Sequence, residues 1–239
     1  MKKLIALTVV AISLASSAAN IVLIGDSTLA PRAETVKLGS WGDALKPSLA
    51  PGNGIINRAV GGRTVRSTKP GWAKSLALIS KGDFVIIQFG INDASPNPKK
   101  LVGADEFKKT LAKFADDVLA KGATPVICSP VANAGYGKIP KTGATFSLTK
   151  SRRTYGDYAK AVAAEKKLDY VDMTALTAAA LSKLDREAAL ALYVGETKKK
   201  DGASTFDTTH PAKAGAKRFA ELFIADVKAR KLPVAKLFK

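Results

Sequence analysis

Four apolar residues in a row, Ile21-Val22-Leu23-Ile24, stop abruptly at Gly25-Asp26-Ser27. An unbroken run of this kind predicts a strand buried on both faces, and the polar turn after it marks the strand's carboxyl end. The pattern recurs along the chain. Ile55 to Val60 runs into Gly61-Gly62-Arg63-Thr64, and Asp83 to Phe89 runs into Gly90-Ile91-Asn92-Asp93. Pro125 to Ser129 leads into a Gly-, Lys- and Thr-rich stretch from about Ala132 to Lys150, and Leu168 to Asp172 reads as a short fifth strand. Loops as long as Ala132 to Lys150 usually serve function or move.

Helical periodicity fills the intervals. Phe107, Leu111, Phe114, Val118 and Leu119 fall on one face of a helix from Ala104 to Lys121, which Gly122 ends. A helix is expected to start around Gly39 to Leu45 and to stop at Pro47 to Gly52; another covers Ser151 to Lys167. The alanine- and leucine-rich stretch from Thr174 to Val194 reads as one long helix, Gly195 to Asp207 as a polar loop, and Ala212 to Arg230 as the closing helix. Strands alternating with helices predict an α/β fold, a three-layer α/β/α sandwich around a mostly parallel five-stranded sheet. Right-handed crossovers then bring the carboxyl ends of all strands to one rim. At 239 residues the chain suffices for one large core. No internal repeat or linker divides it, so residues 20–239 are read as a single domain.

Residues 1–19 stand apart from this pattern. Met1-Lys2-Lys3 is a basic start, Leu4 to Leu14 is mostly apolar, and Ser17-Ala18-Ala19 offers small residues at a cleavage point, which together predict a signal peptide. The apolar run falls short of the ~20 residues that a membrane span requires. A secreted, extracellular protein without a membrane partner is therefore expected. The single cysteine, Cys128, has no partner for a disulfide within the chain and lies in an apolar strand, where it reads as a small buried side chain.

Charge narrows the partners. The formal net charge is +18, and loss of Lys2 and Lys3 with the leader leaves +16. Such an excess favours encounters with polyanions: nucleic acid, anionic lipid or acidic polysaccharide. Outside the cell acidic polysaccharide is the natural candidate, and no nucleic-acid partner is expected.

The candidate chemistry gathers at the predicted rim. Ser27 follows the first strand, and His210, the only histidine, follows Asp207 by three residues in Asp207-Thr208-Thr209-His210-Pro211, a segment that suits the first turn of the last helix. A serine hydroxyl becomes a nucleophile when an imidazole, oriented by a carboxylate, accepts its proton. Acyl transfer also requires donors aimed at the oxygen that becomes negative. The backbone N–H groups of Ser27 and Gly62 and the side-chain amide of Asn92 are candidates at the same rim. Each of these residues taken singly has a structural use, since Ser27, Asp207 and Asn92 suit caps and Gly62 suits a turn.

Four segments in this order resemble the sequence blocks of the SGNH (GDSL-type) hydrolases: Gly25-Asp26-Ser27, Gly62, Gly90-Ile91-Asn92-Asp93 and Asp207-Thr208-Thr209-His210. Gly25 to Ala30, Asn57 to Thr64 and Asp207 to His210 are further similar to rhamnogalacturonan acetylesterases. The resemblance covers essentially the whole chain after the leader. It implies a flavodoxin-like fold, with Ser27 as nucleophile and oxyanion donor, Gly62 and Asn92 as the other donors, and Asp207 with His210 completing a triad. One departure bears on substrate: Ile91 stands where pectin-type relatives often carry a histidine. The disulfides of some relatives are impossible here.

No Gly-x-Ser-x-Gly elbow, zinc-binding histidine helix, phosphate-binding loop or dinucleotide fingerprint occurs. Neither metal nor cofactor is expected. The reading is thus a secreted, monomeric serine esterase that removes O-acetyl groups from plant cell-wall polysaccharide, most plausibly pectic rhamnogalacturonan. A lipase or other esterase of the same superfamily is the nearest alternative. A polyanion-binding protein without catalysis is the alternative from another class.

Overall fold

The computed structural model describes residues 18–133, 150–198, 202 and 204–239. The leader, apart from Ala18 and Ala19, and most of the expected loop from Ala132 to Lys150 lie outside the described residues.

Five strands form the central sheet: β1 (Asn20–Gly25), β2 (Gly54–Asn57), β3 (Phe84–Gln88), β4 (Thr124–Cys128) and β5 (Asp169–Val171). Their order is β2-β1-β3-β4-β5, and every pairing is parallel. The period of two along β1 divides its side chains between two cores. Ile21 and Leu23 face one layer, Val22 and Ile24 the other, and all four are buried. Removing such side chains from water contributes roughly 1.5–3 kcal/mol each, which explains why β1 needs no polar alternation.

The first layer holds α5 (Met173–Leu181), α6 (Arg186–Ala191), α7 (Lys213–Ala229) and two 3-10 segments, Asp43–Ser48 and Pro233–Leu237. Its centre is Trp41 with Phe219 and Phe223. Across the sheet lie α1 (Val65–Thr68), α2 (Trp72–Leu76), α3 (Ala104–Ala120) and α4 (Lys150–Glu165). Here Trp72 stacks on Phe114 at 4.1 Å between ring centres, and its indole N–H donates to Asp117 at 2.8 Å. The α/β/α sandwich matches the expected class.

The long helix expected over Thr174 to Val194 is not one element. It breaks after Leu181, because Asp185 caps a new helix by accepting from the N–H of Ala188 at 2.8 Å. The chain then becomes extended. Tyr193–Lys198 (β6) pairs antiparallel with Ser204–Pro211 (β7), where a polar loop was expected. Alternating β-branched and aromatic residues in Ser204-Thr205-Phe206-Asp207-Thr208-Thr209 carry that strand propensity. The helix expected near Gly39 is only a 3-10 turn containing Pro47, whereas α1 and α2 have no counterpart in the sequence reading.

This architecture fixes the position of the site. The chain leaves β1 toward β2 on one side of the sheet and returns at β3 on the other, so the carboxyl ends of β1 and β3 form the crevice where ligands of open α/β sheets collect.

Candidate active site

Ser27 follows β1 at that crevice. Gly25 is required there by close approach: a Cβ on it would lie 2.6 Å from the Gln88 carbonyl oxygen and 2.8 Å from Leu29 Cδ1. After Ser27 the chain makes a single turn, in which the N–H groups of Leu29 and Ala30 both donate to the Asp26 carbonyl. Rigidity comes from a buried polar network. Thr28 donates to Asp26 Oδ1 through both its N–H and its hydroxyl, each at 3.0 Å. Gln88 donates to Thr28 Oγ1 at 2.6 Å and accepts the Trp41 indole N–H at 3.0 Å. Buried networks of this kind hold a turn in one geometry.

The antiparallel β6–β7 hairpin supplies the partner groups. His210 Nε2 stands 2.8 Å from Ser27 Oγ, and His210 Nδ1 stands 2.7 Å from Asp207 Oδ2. An ionised carboxylate only accepts, so Nδ1 carries the proton and Nε2 is left to accept from the serine hydroxyl. His210 therefore lies in the last residues of β7 rather than in the first turn of α7, which begins at Lys213. Its backbone is set by the Asp207 side chain, whose Oδ1 accepts the N–H groups of Thr209 at 3.0 Å and His210 at 2.9 Å. The end of β7 is tied down where the Gly39 N–H donates to the Pro211 carbonyl at 2.8 Å. Burial would raise the Asp207 pKa, but the side-chain bond to His210, the two backbone N–H groups and the His210 charge outweigh it, and the carboxyl is held below its usual range.

The turn that carries Gly62 lies beside Ser27, and Asn92 is joined to that turn. A Cβ on Gly61 would lie 3.8 Å from Ser27 Cβ, which brings the Gly61-Gly62 turn against the serine. Gly62 has φ +77°, a backbone conformation that glycine adopts without strain. Among the described residues, neither the Ser27 N–H nor the Gly62 N–H has a hydrogen-bond partner. Asn92 uses one amide hydrogen to donate to the Arg63 carbonyl at 3.1 Å, which joins the third block to the turn and leaves its second hydrogen available.

Two residues of the site escaped the sequence reading. Arg32 donates to the Ser27 carbonyl oxygen at 2.6 Å, and burial lowers its pKa against the opposing charges of Asp26 and Asp43. Asp93 is fully buried and clamps the two loops together. Its Oδ1 accepts from Val65 N–H at 2.9 Å and its Oδ2 from Gly90 N–H at 3.0 Å. Burial pushes Asp93 up to about 7 despite the Val65, Gly90 and Asp93 backbone N–H groups, with the charge of Asp26 adding to the rise. An acidic residue after Asn92 was visible in the sequence, but one of its partners, Val65, belongs to a loop 28 positions away.

Cys128 is buried, and burial pushes its thiol well above the usual range. Among the described residues, no group of three or more His, Cys, Asp or Glu side chains is placed to hold a metal ion. No helix among them is long and apolar enough to cross a membrane.

A serine, histidine and aspartate in hydrogen-bonded line at the carboxyl rim of an α/β/α sheet form an arrangement suited to acyl-ester hydrolysis. The chain belongs to the GDSL-like Lipase/Acylhydrolase family, which it matches over residues 23–218. It is 28% identical to the probable rhamnogalacturonan acetylesterase YesY of Bacillus subtilis, over 90% of this chain and 95% of that protein. To an acetylxylan esterase of Geobacillus stearothermophilus it is 27% identical, over 88% and 94% of the two chains. The crystal structure of Bacillus subtilis YxiM superposes with a TM-score of 0.77 at 28% identity, covering 91% of this chain and 58% of that longer one.

Proposed function

We propose that this carboxylic ester hydrolase removes O-acetyl groups from plant cell-wall polysaccharide by a serine mechanism, with pectic rhamnogalacturonan as the preferred polymer. The observation that carries the chemistry is the continuous line from Ser27 Oγ through His210 to Asp207. Similarity to a rhamnogalacturonan acetylesterase and the +18 charge support the polymer.

In this reading Ser27 Oγ attacks the acetyl carbonyl carbon as its proton passes to His210 Nε2. Asp207, held ionised, stabilises the imidazolium. The carbonyl oxygen takes the negative charge, which the Ser27 and Gly62 N–H groups and the free Asn92 amide hydrogen receive; losing one such donor costs about 10²–10³ in rate elsewhere. Collapse expels the sugar oxygen, which takes the proton from His210 and leaves acetyl-Ser27. A water deprotonated by His210 then attacks the acyl-enzyme, acetate departs, and the serine recovers its proton.

Export belongs to the same proposal. It accords with the basic-apolar pattern of residues 1–19 and with β1 opening at Asn20, the first residue past the expected cleavage point.

The similarity to an acetylxylan esterase favours a second reading, in which the polymer is neutral xylan. Acetate release from acetylated rhamnogalacturonan, xylan and glucomannan, with fluorophosphonate labelling of Ser27, tests both readings. Fastest release from rhamnogalacturonan is expected. Preference for xylan would establish the second reading, and absence of labelling and of acetate would overturn the esterase assignment.

A further inference from the structure

A cavity of about 360 Å³ is lined by Gly61 and Gly62 of the candidate oxyanion turn, the turn that packs against Ser27. The remainder of its wall includes Arg63, Thr64, Lys99 and Lys100, and no acidic side chain lines it. A smaller recess beside it, about 100 Å³, shares Val60 and Arg63 and adds Arg58. The Lys100 ammonium reaches over the turn, only 3.7 Å from where a Gly62 Cβ would lie. Arg63 is fixed by donating through Nη1 to the Ser67 carbonyl at 2.6 Å.

The charge in this cavity is uncompensated. Among the described residues Arg58, Arg63, Lys99 and Lys100 enter no ion pair, whereas Arg66 and Lys69, a few positions further along, are both paired with Glu106. Unpaired lysines occur elsewhere on so basic a chain. These differ in lining a concave site that continues into the turn against which Ser27 packs. Cations that face one another without a carboxylate repel, and an anion entering between them relieves that repulsion. A neutral glycan offers no such group; a uronic acid offers one carboxylate per sugar.

Resting on the esterase reading above, the geometry points to this cavity as a subsite for a uronate carboxylate, on the acetylated sugar or its neighbour in the polymer. Lys99 and Lys100 bind the carboxylate, and Arg63 supplies the field behind them. The subsite makes the enzyme prefer acidic acetylated glycan over neutral acetylated glycan by a local contact, in addition to long-range attraction by the whole surface.

The test compares kcat/KM for acetate release from acetylated rhamnogalacturonan oligosaccharides with that from the same oligosaccharides after reduction of their carboxyl groups. The wild type should favour the acidic form. Lys99→Gln combined with Lys100→Gln should lower the acidic-to-reduced ratio about tenfold, the scale of two partly exposed charge contacts. Lys99→Arg with Lys100→Arg should largely restore it. The double substitution Lys81→Gln with Lys121→Gln removes the same charge at the opposite, amino-terminal rim of the sheet and should leave the ratio near the wild-type value. An unchanged ratio in the Lys99/Lys100 glutamine variant, or an equal fall in the remote variant, would overturn the subsite. A wild type that releases acetate from neither form would instead overturn the esterase reading itself.

Discussion

His210 Nε2 lies 2.8 Å from Ser27 Oγ across a separation of 183 residues, and two different structural units must meet to place it there. Ser27 is presented by the parallel sheet, His210 by the antiparallel hairpin β6–β7. The contact is thus a product of how the hairpin docks, which the Gly39 N–H to Pro211 carbonyl bond and the Leu38–Ala212 bridge secure.

In the proposed mechanism Ser27 passes its proton to a His210 that Asp207 orients, so the three should act as one unit and their removal should be far from additive. Ser27→Ala and His210→Ala are each expected to lower kcat by several orders of magnitude with the fold intact, and the double variant should fall little further. Folded His210→Ala with near-normal turnover would refute the assignment, since no second histidine exists to replace it.

Asn92 has two uses in the structure, and kinetics separates them. Its bond to the Arg63 carbonyl is structural, while its second amide hydrogen is the candidate oxyanion donor. Asn92→Ala is expected to lower kcat by about 10²–10³ with little change in KM. A drop in thermal stability with kcat preserved would assign Asn92 to loop anchoring alone.

Arg32 touches the Ser27 carbonyl, and in the proposed mechanism it would act through position. Arg32→Met should reduce kcat about tenfold, the effect of loosening a near-attack geometry by a fraction of an ångström, and Arg32→Lys should recover part of it. An unchanged kcat in Arg32→Met would show that the Asp26–Thr28–Gln88 network suffices to hold the turn.

Most of the sheet and the residues that meet at the candidate site were legible in the sequence, for a physical reason. A strand buried on both faces must be apolar throughout, and the turn ending it must be small or polar, so Ile21 to Ser27 and Asp83 to Asn92 announce themselves. The hairpin β6–β7 was not legible, because Thr174 to Val194 carries helical composition almost to its end and the break depends on Asp185 capping a second helix. Strand pairing of Tyr193 to Lys198 is likewise a tertiary choice, marked by the buried Tyr193 hydroxyl donating to the Ala132 carbonyl at 2.6 Å. Arg32 and Asp93 stayed hidden for a related reason: their roles lie in which backbone groups the fold brings to them. Ser27, Asp207 and His210 could be named from residue type and order, whereas the bonds that position them could not.

Asp93 supplies the prediction with a definite sign. Its carboxyl, near 3.8 in the unfolded chain, is pushed up to about 7 by burial. Between these values the folded protein binds a proton that the unfolded chain has released, so protonation favours the folded state. Stability linked to this group is therefore fully present at low pH and declines as pH rises from about 4 through about 7, by at most roughly 1.4 kcal/mol per pH unit. Asp93→Asn removes the titration. It also costs stability at every pH, because one amide oxygen cannot accept as well as two carboxyl oxygens from both Val65 and Gly90. Urea unfolding of the two proteins at pH 5, 6, 7 and 8 should show the wild-type advantage shrinking as pH increases, then levelling near pH 8. A pH-independent difference would mean that Asp93 stays ionised throughout. In that case its three backbone N–H groups and the nearby Arg66 charge outweigh desolvation, and the loops bearing Gly62 and Asn92 are clamped by a carboxylate rather than by a carboxylic acid.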